Sequence, residues 1–151
     1  MAYITITQLQ SRLGNSLYAR LTDRVNGTTA NATVAQQIVD EAEALADSYL
    51  ATRFAVPIDL VAHPELSETL AARVLDLAEV LAWRNSPFVS DLPERIRLSG
   101  DEATRWFSGV SAGWLTLPAS SPPAASPLVG GNAPEARSSE RTFTREELDG
   151  L

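Results

Sequence analysis

Cysteine and lysine are absent from this 151-residue chain, and histidine occurs once. The lack of cysteine excludes disulfides, thiolate nucleophiles and the common structural zinc sites together. The lone histidine, His63, stands beside Pro64 at a helix start, where it reads as a solvated loop or capping residue and leaves little for a metal or an acid–base relay. The missing lysine makes every basic residue an arginine, which GC-rich coding sequence explains more simply than a need for bidentate pairing. No apolar run approaches the roughly 20 residues that a membrane span needs. The opening MAYITITQ has neither the basic start nor the apolar block of a secretory signal, so the chain is expected in the cytoplasm where it is made. Glycine-rich phosphate loops are missing too, since Gly130-Gly131 has no strand before it and no lysine after it.

The composition is that of a globular chain, with 44% hydrophobic and 21% charged residues, and the length suits one domain with an appendage. A net charge of −7 and a pI near 4.6 argue against a protein that grips phosphates, whose affinity comes from neutralising them.

The longest amphipathic stretch is TVAQQIVDEAEALADSYLATRFAVPI, residues 33–58. Val34, Ile38, Ala42, Leu45 and Tyr49 repeat at the period of one helix face, with Gln36, Gln37, Asp40, Glu41, Glu43, Asp47 and Ser48 on a wet face. Thr33 is the expected N-cap, and Pro57 holds Val56 extended, so the helix runs over about 33–53. Upstream, Ala2-Tyr3-Ile4 form an extended entry to two short helices. Thr5 or Thr7 caps the first, which carries Leu9 and Leu13 and ends with Gly14 in a left-handed position. Asn15 caps the second, which buries Leu17, Tyr18 and Leu21. Residues 23–32 form a loop around the turn signal Asn26-Gly27.

Downstream, Ile58 to Ala62 stay extended and Pro64 opens a helix over 64–85, with Leu66, Leu70, Val74, Leu77 and Leu81 on one face, widened by Ala71, Ala72, Ala78 and Ala82. Arg73 and Asp76 pair on its exposed side. Two long helices with matching stripes, joined by a taut connector, are expected to pack antiparallel. A last helix over 93–112 carries Ile96, Ala103, Phe107, Val110 and Trp114 on one side and a charge ladder of Arg97, Asp101 and Arg105 on another. Gly100 inside it is a local weakness of about 1 kcal/mol relative to alanine. The expected fold is therefore all-α: a small helical bundle with two long antiparallel helices, short N-terminal helices and an extended C-terminal arm. The helical domain covers 1–117 and the Pro/Ser/Ala-rich arm 118–151.

That arm cannot build a core of its own. Its last residues differ from a linker: Phe143, Leu148 and Leu151 are apolar, Arg141 and Arg145 are basic, and Thr144 to Glu147 has capping-box spacing. Arg141, Phe143, Arg145, Leu148 and Leu151 are the candidate partner-binding residues.

No catalytic constellation emerges, and no cofactor or metal is expected. Glu41, Glu43, Asp47, Asp76 and Glu79 read as a solvated acidic face rather than a divalent-metal site. Trp83, Trp106 and Trp114 read as packing residues at helix ends, one of them a candidate for a subunit boundary. The two N-terminal helices mimic a helix-turn-helix, but NSLYARLT offers only Arg20. A small helical DNA-binding regulator is a less favoured reading, and a helical hydrolase using paired carboxylates such as Asp47 and Asp76 is a third class.

The segments AYITITQLQSRLG, LYARLTDR, DSYLATRFAVPI and RTFTREELDGL follow one another as in a family of Mu-like phage proteins. That family resembles the head–tail connector, or neck adaptor, proteins of gene transfer agents and long-tailed phages. The most specific pieces are Tyr49 through Ile58 and Phe143-Thr144-Arg145 with Gly150. In the loop, Val25-Asn26-Gly27-Thr28 departs from a more Asp/Gly-rich turn, so a calcium-type site is not expected there. The resemblance implies a structural, non-enzymatic protein of the virion neck, assembled in the host cytoplasm. It implies a homo-oligomeric ring of twelve copies beneath the portal protein, onto which a stopper or tail component assembles. DNA passes through the bore without sequence-specific binding, and the C-terminal segment reaches the portal. A head-closure or tail-completion factor at a neighbouring neck position is the alternative.

Overall fold

A computed structural model describes residues 2–89 and 91–117. The candidate residues Arg141, Phe143, Arg145, Leu148 and Leu151 lie outside the described part, as does the whole of 118–151. Five α-helices make up the described chain: α1 (Ile6–Leu13), α2 (Asn15–Thr22), α3 (Ala32–Leu50), α4 (Ser67–Asn85) and α5 (Glu94–Ala112). One 3-10 turn, Pro64–Leu66, leads into α4, and there is no β-strand among the described residues.

Local chemistry sets most of the helix ends. Thr5 caps α1 in a full capping box: its hydroxyl accepts from the Gln8 N–H at 3.2 Å, and the Gln8 side chain accepts from the Thr5 N–H at 2.7 Å. Gly14 ends α1 at φ 78° but ψ 150°, not in the left-handed helical well expected, and so starts α2 at once. Asn15 is therefore inside the first turn of α2 rather than its cap, and its side-chain oxygen accepts from Gln10 at 2.9 Å. Asn31, not Thr33, caps α3, with its Oδ1 accepting from Thr33 N and Val34 N at 3.0 and 3.2 Å. That helix stops at Leu50, three residues before the expected end, in a turn over 51–53. The stretch after Pro57 is not extended to Ala62, because Asp59 starts a turn: its side chain accepts from Val61 N at 2.9 Å and its carbonyl from His63 N at 3.0 Å.

Three 19-residue helices form the main layer. α4 lies antiparallel to both α3 and α5, which run parallel to each other. The pairings Glu41 with Asn85, Glu79 with Arg95, and Thr52 with Ser111 fix these directions. α1 and α2 pack across α3 and α4. The core holds Leu9, Leu21, Ile38, Leu50, Leu66, Leu70, Ile96 and Phe107 essentially sealed from water. The expected stripe of α3 is rotated in the structure: Ala35, Val39, Ala46 and Leu50 are buried with Ile38 and Ala42, while Leu45 is 38% exposed. The reason is that α3 is gripped from two sides, by α4 and α5 on one and by α1 with the N-terminal segment on the other.

The small residues decide how closely helices approach. Gly100 is buried on α5, and a Cβ there would run into Cγ2 of Val80 on α4. It is a contact point between antiparallel helices, not the local weakness its propensity suggests. Gly100→Ala should destabilise the protein by roughly 1–2 kcal/mol, the overpacking cost less the helix-propensity gain. Chemical denaturation checks this, and adding Val80→Ala should recover part of the loss.

Candidate interaction surface

The acidic residues expected on a wet face turn inward. Asp76 and Glu79 of α4 are 8% and 2% exposed. Arg12 of α1 crosses to both, donating from Nη2 to Asp76 Oδ1 and from Nε to Glu79 Oε2 at 3.1 Å. Arg95 of α5 donates to the other oxygen of Glu79 at 3.2 Å. Arg73 lies 3.7 Å from Asp76 and 3.0 Å from Glu102, so this pair belongs to a half-buried network rather than to an exposed side. Burial pushes the Asp76 carboxyl above its ordinary value, with Arg12 pulling the other way. Both carboxylates are engaged by guanidinium groups, which makes them a weld between α1, α4 and α5. Among the described residues no group of three or more His, Cys, Asp or Glu is placed to hold a metal ion.

Glu43 and Asp47 of α3 hold the N-terminal segment. The Glu43 carboxylate accepts from Tyr3 N and Ile4 N at 2.6 and 3.0 Å, and Asp47 accepts from the Tyr3 hydroxyl at 2.6 Å. The same hydroxyl accepts from Ile58 N at 2.8 Å. Burial, and next the bond to Asp47, raise the Tyr3 phenol well above its usual range. Thus Tyr3 ties the chain start to α3 and to the segment after Pro57. Glu41 instead accepts from the Asn85 side chain at 3.2 Å.

The 23–32 loop is organised by Asp23, whose two oxygens accept four backbone N–H groups, of Val25, Asn26, Thr28 and Thr29, at 2.8 to 3.2 Å. These bonds hold its carboxyl far below the usual carboxylate range. His63 takes the capping position before Pro64–Leu66, as one of the two readings had it, but it is not solvated: its side chain is 16% exposed, and its buried Nδ1 has no hydrogen bond, with Glu65 Oε1 3.6 Å away. The Arg97–Asp101 rung of the α5 ladder forms at 3.2 Å, but Arg105 makes no ion pair among the described residues.

Trp83 and Trp106 pack against the core as expected, Trp106 edge-on to Phe107 at 5.0 Å. Trp114 does not: it is 87% exposed. The helical period does not reach Trp114, because Gly113, at φ 83° and ψ 11°, takes the left-handed position and turns the chain off the helix axis. Trp114 N and Leu115 N then both donate to the Gly109 carbonyl, at 2.9 and 3.1 Å, which fixes the hook. Beneath it lies an open apolar groove of about 190 Å³, lined by Trp106, Leu115, Arg73, Glu102 and Arg105. Leu117, where the described chain ends, is buried again. A second, narrower cleft of about 80 Å³ lies between α4 and α5 beside Leu45, Leu81, Leu92 and Gly100. The hook is the feature that periodicity missed, and Gly113 was its only signal.

Two variants separate weld from surface. Arg12→Ala should cost roughly 2–4 kcal/mol in urea unfolding, since it strands two buried carboxylates that keep partial cover from Arg73 and Arg95. Trp114→Ser should leave stability within about 0.5 kcal/mol, the usual range for an exposed position. Asp23→Asn should destabilise, because a carboxamide turns two N–H donors towards donors. Since the Asp23 carboxyl is held below its ordinary 3.8, its stabilisation is complete above that value and fades as pH falls through and below it. The difference between wild type and Asp23→Asn should therefore be largest near neutrality and shrink on acidification. Asp76, raised rather than lowered, contributes with the opposite sign and is common to both proteins.

Among families, the one described as bacteriophage Mu, Gp36 matches residues 3–133. The matched stretch takes in every described helix and stops short of Arg141, Phe143, Arg145, Leu148 and Leu151. No curated protein matches the chain. With most of its length matched, the chain belongs to the bacteriophage Mu Gp36 family.

Proposed function

We propose that this protein is a structural head–tail connector, an adaptor that forms a ring beneath the portal protein and receives a stopper or tail component. Membership of the Mu Gp36 family indicates a phage structural or morphogenetic protein. The observation that carries the finer reading is the hook: a rigid helical body presents Trp114 and Leu115 to solvent at the point where a long Pro/Ser/Ala-rich arm departs. An exposed indole on a fixed turn is suited to burial against another chain, because it gives a large contact area at little cost in conformational entropy. Copies meeting head to tail through different faces close into a ring when the rotation permits, here one of twelve copies around the DNA. The net charge of −7 favours passage of DNA over adhesion to it. On this reading the protein is not an enzyme, and it works in the neck of the virion.

Arg141, Phe143, Arg145, Leu148 and Leu151 are the proposed portal contacts, the apolar three supplying buried area and the arginines pairing with carboxylates. Deleting residues 140–151 should leave the helical fold intact, read as unchanged far-ultraviolet dichroism, while abolishing attachment to portal-bearing heads. Attachment at the wild-type level would refute the role given to these residues. Electron microscopy of particles lacking the protein should show a bare portal, whereas loss of a head-closure factor would leave an adaptor ring in place.

A further inference from the structure

The groove beside the hook is lined by the apolar Trp106 and Leu115 together with Arg105 and the Arg73–Glu102 ion pair. Arg105 lacks an ion-pair partner among the described residues, and Trp114 stands exposed next to the groove-lining Leu115. The described residues end at Leu117, two residues beyond the groove-lining Leu115, so the segment that follows begins close to the groove. Residues 143–151, FTREELDGL, have the complementary chemistry: Phe143, Leu148 and Leu151 are apolar, and Glu146, Glu147 and Asp149 outnumber Arg145.

The tether has a fitting length. Twenty-five residues, 118–142, separate Leu117 from Phe143, and a chain of that length reaches at most about 80–90 Å. The length of α5, roughly 28 Å, lies well within that reach. A segment tethered at such a distance has an effective concentration in the millimolar range, so even weak complementarity keeps it docked. We propose that residues 143–151 dock on this groove of their own chain, with Phe143 and Leu148 against Trp106 and Leu115 and the acidic cluster facing Arg105. The apolar lining and the apolar tip then cover each other. Only the release step rests on the adaptor reading: a portal competing for the same tip would expose the groove when assembly begins.

The absence of cysteine allows a unique nitroxide label at Ser139→Cys in the full chain. Paramagnetic broadening is then read at the Trp106 indole and the Leu115 amide. The expected result is strong broadening at both that survives dilution with unlabelled protein and is lost with Phe143→Ala/Leu148→Ala or with Arg105→Glu. Broadening unaffected by Phe143→Ala/Leu148→Ala would reflect a passing tether and overturn the proposal. So would broadening seen only between differently labelled copies, which would make a second chain's arm the occupant. No portal is present in this measurement, so its failure leaves the attachment result untouched, and the reverse holds as well.

Discussion

Two carboxylates on one helix set the terms for the rest of the molecule. Glu79 is almost sealed from water and Asp76 nearly so, yet each faces a guanidinium rather than an apolar wall. An ionised carboxylate in such a place costs several kcal/mol unless cations of good geometry meet it. The cations come from far apart in the chain: Arg12 from α1, Arg95 from α5, and Arg73 from one turn earlier on α4. Arginine suits this task, because one planar group can reach both Asp76 and Glu79 at once, which a lysine ammonium does less well. α1 and α5 must therefore both be in place before α4 is fully accommodated, and the weld couples the two ends of the helical body.

The same logic runs through α3 and the loop before it. Glu43 and Asp47 are spent on the backbone and phenol of the N-terminal segment, and Asp23 on four backbone N–H groups. Acidic side chains in this protein thus act as internal acceptors that pin irregular backbone to helices. Tyr3 shows the economy of the arrangement, because its one hydroxyl serves both Asp47 and Ile58. The family-like segments at the chain start and around Pro57 meet at that hydroxyl, which gives them a shared structural role.

A body fixed in this way can present a surface without deforming. The hook after α5 is held by two bonds to one carbonyl, and it leaves Trp114 in solvent next to Leu115, which lines a groove with Trp106 and Arg105. Membership of the Mu Gp36 family makes this a phage protein. The buried acids of α4 are committed to arginine and serve the fold.

How much of this could be seen in the sequence depends on the range of the interaction. Helix identity was legible, because apolar spacing, Thr5 with Gln8, and the Asn-Gly turn are effects of neighbours within a few residues. The boundaries slipped where two local caps competed, as with Asn31 against Thr33. The side on which charges fall was not legible: Asp76, Glu79, Glu43 and Asp47 look solvated by periodicity, and only partners 16 to 67 residues away turn them inward. Gly100 likewise reads as a weakness until Val80 is placed against it. The all-α class was thus determined by the sequence itself, through hydrogen bonds and side-chain spacing that close within one turn. The weld, the hook and the groove were decided by tertiary structure alone, because each depends on which distant residue supplies a charge or fills a space.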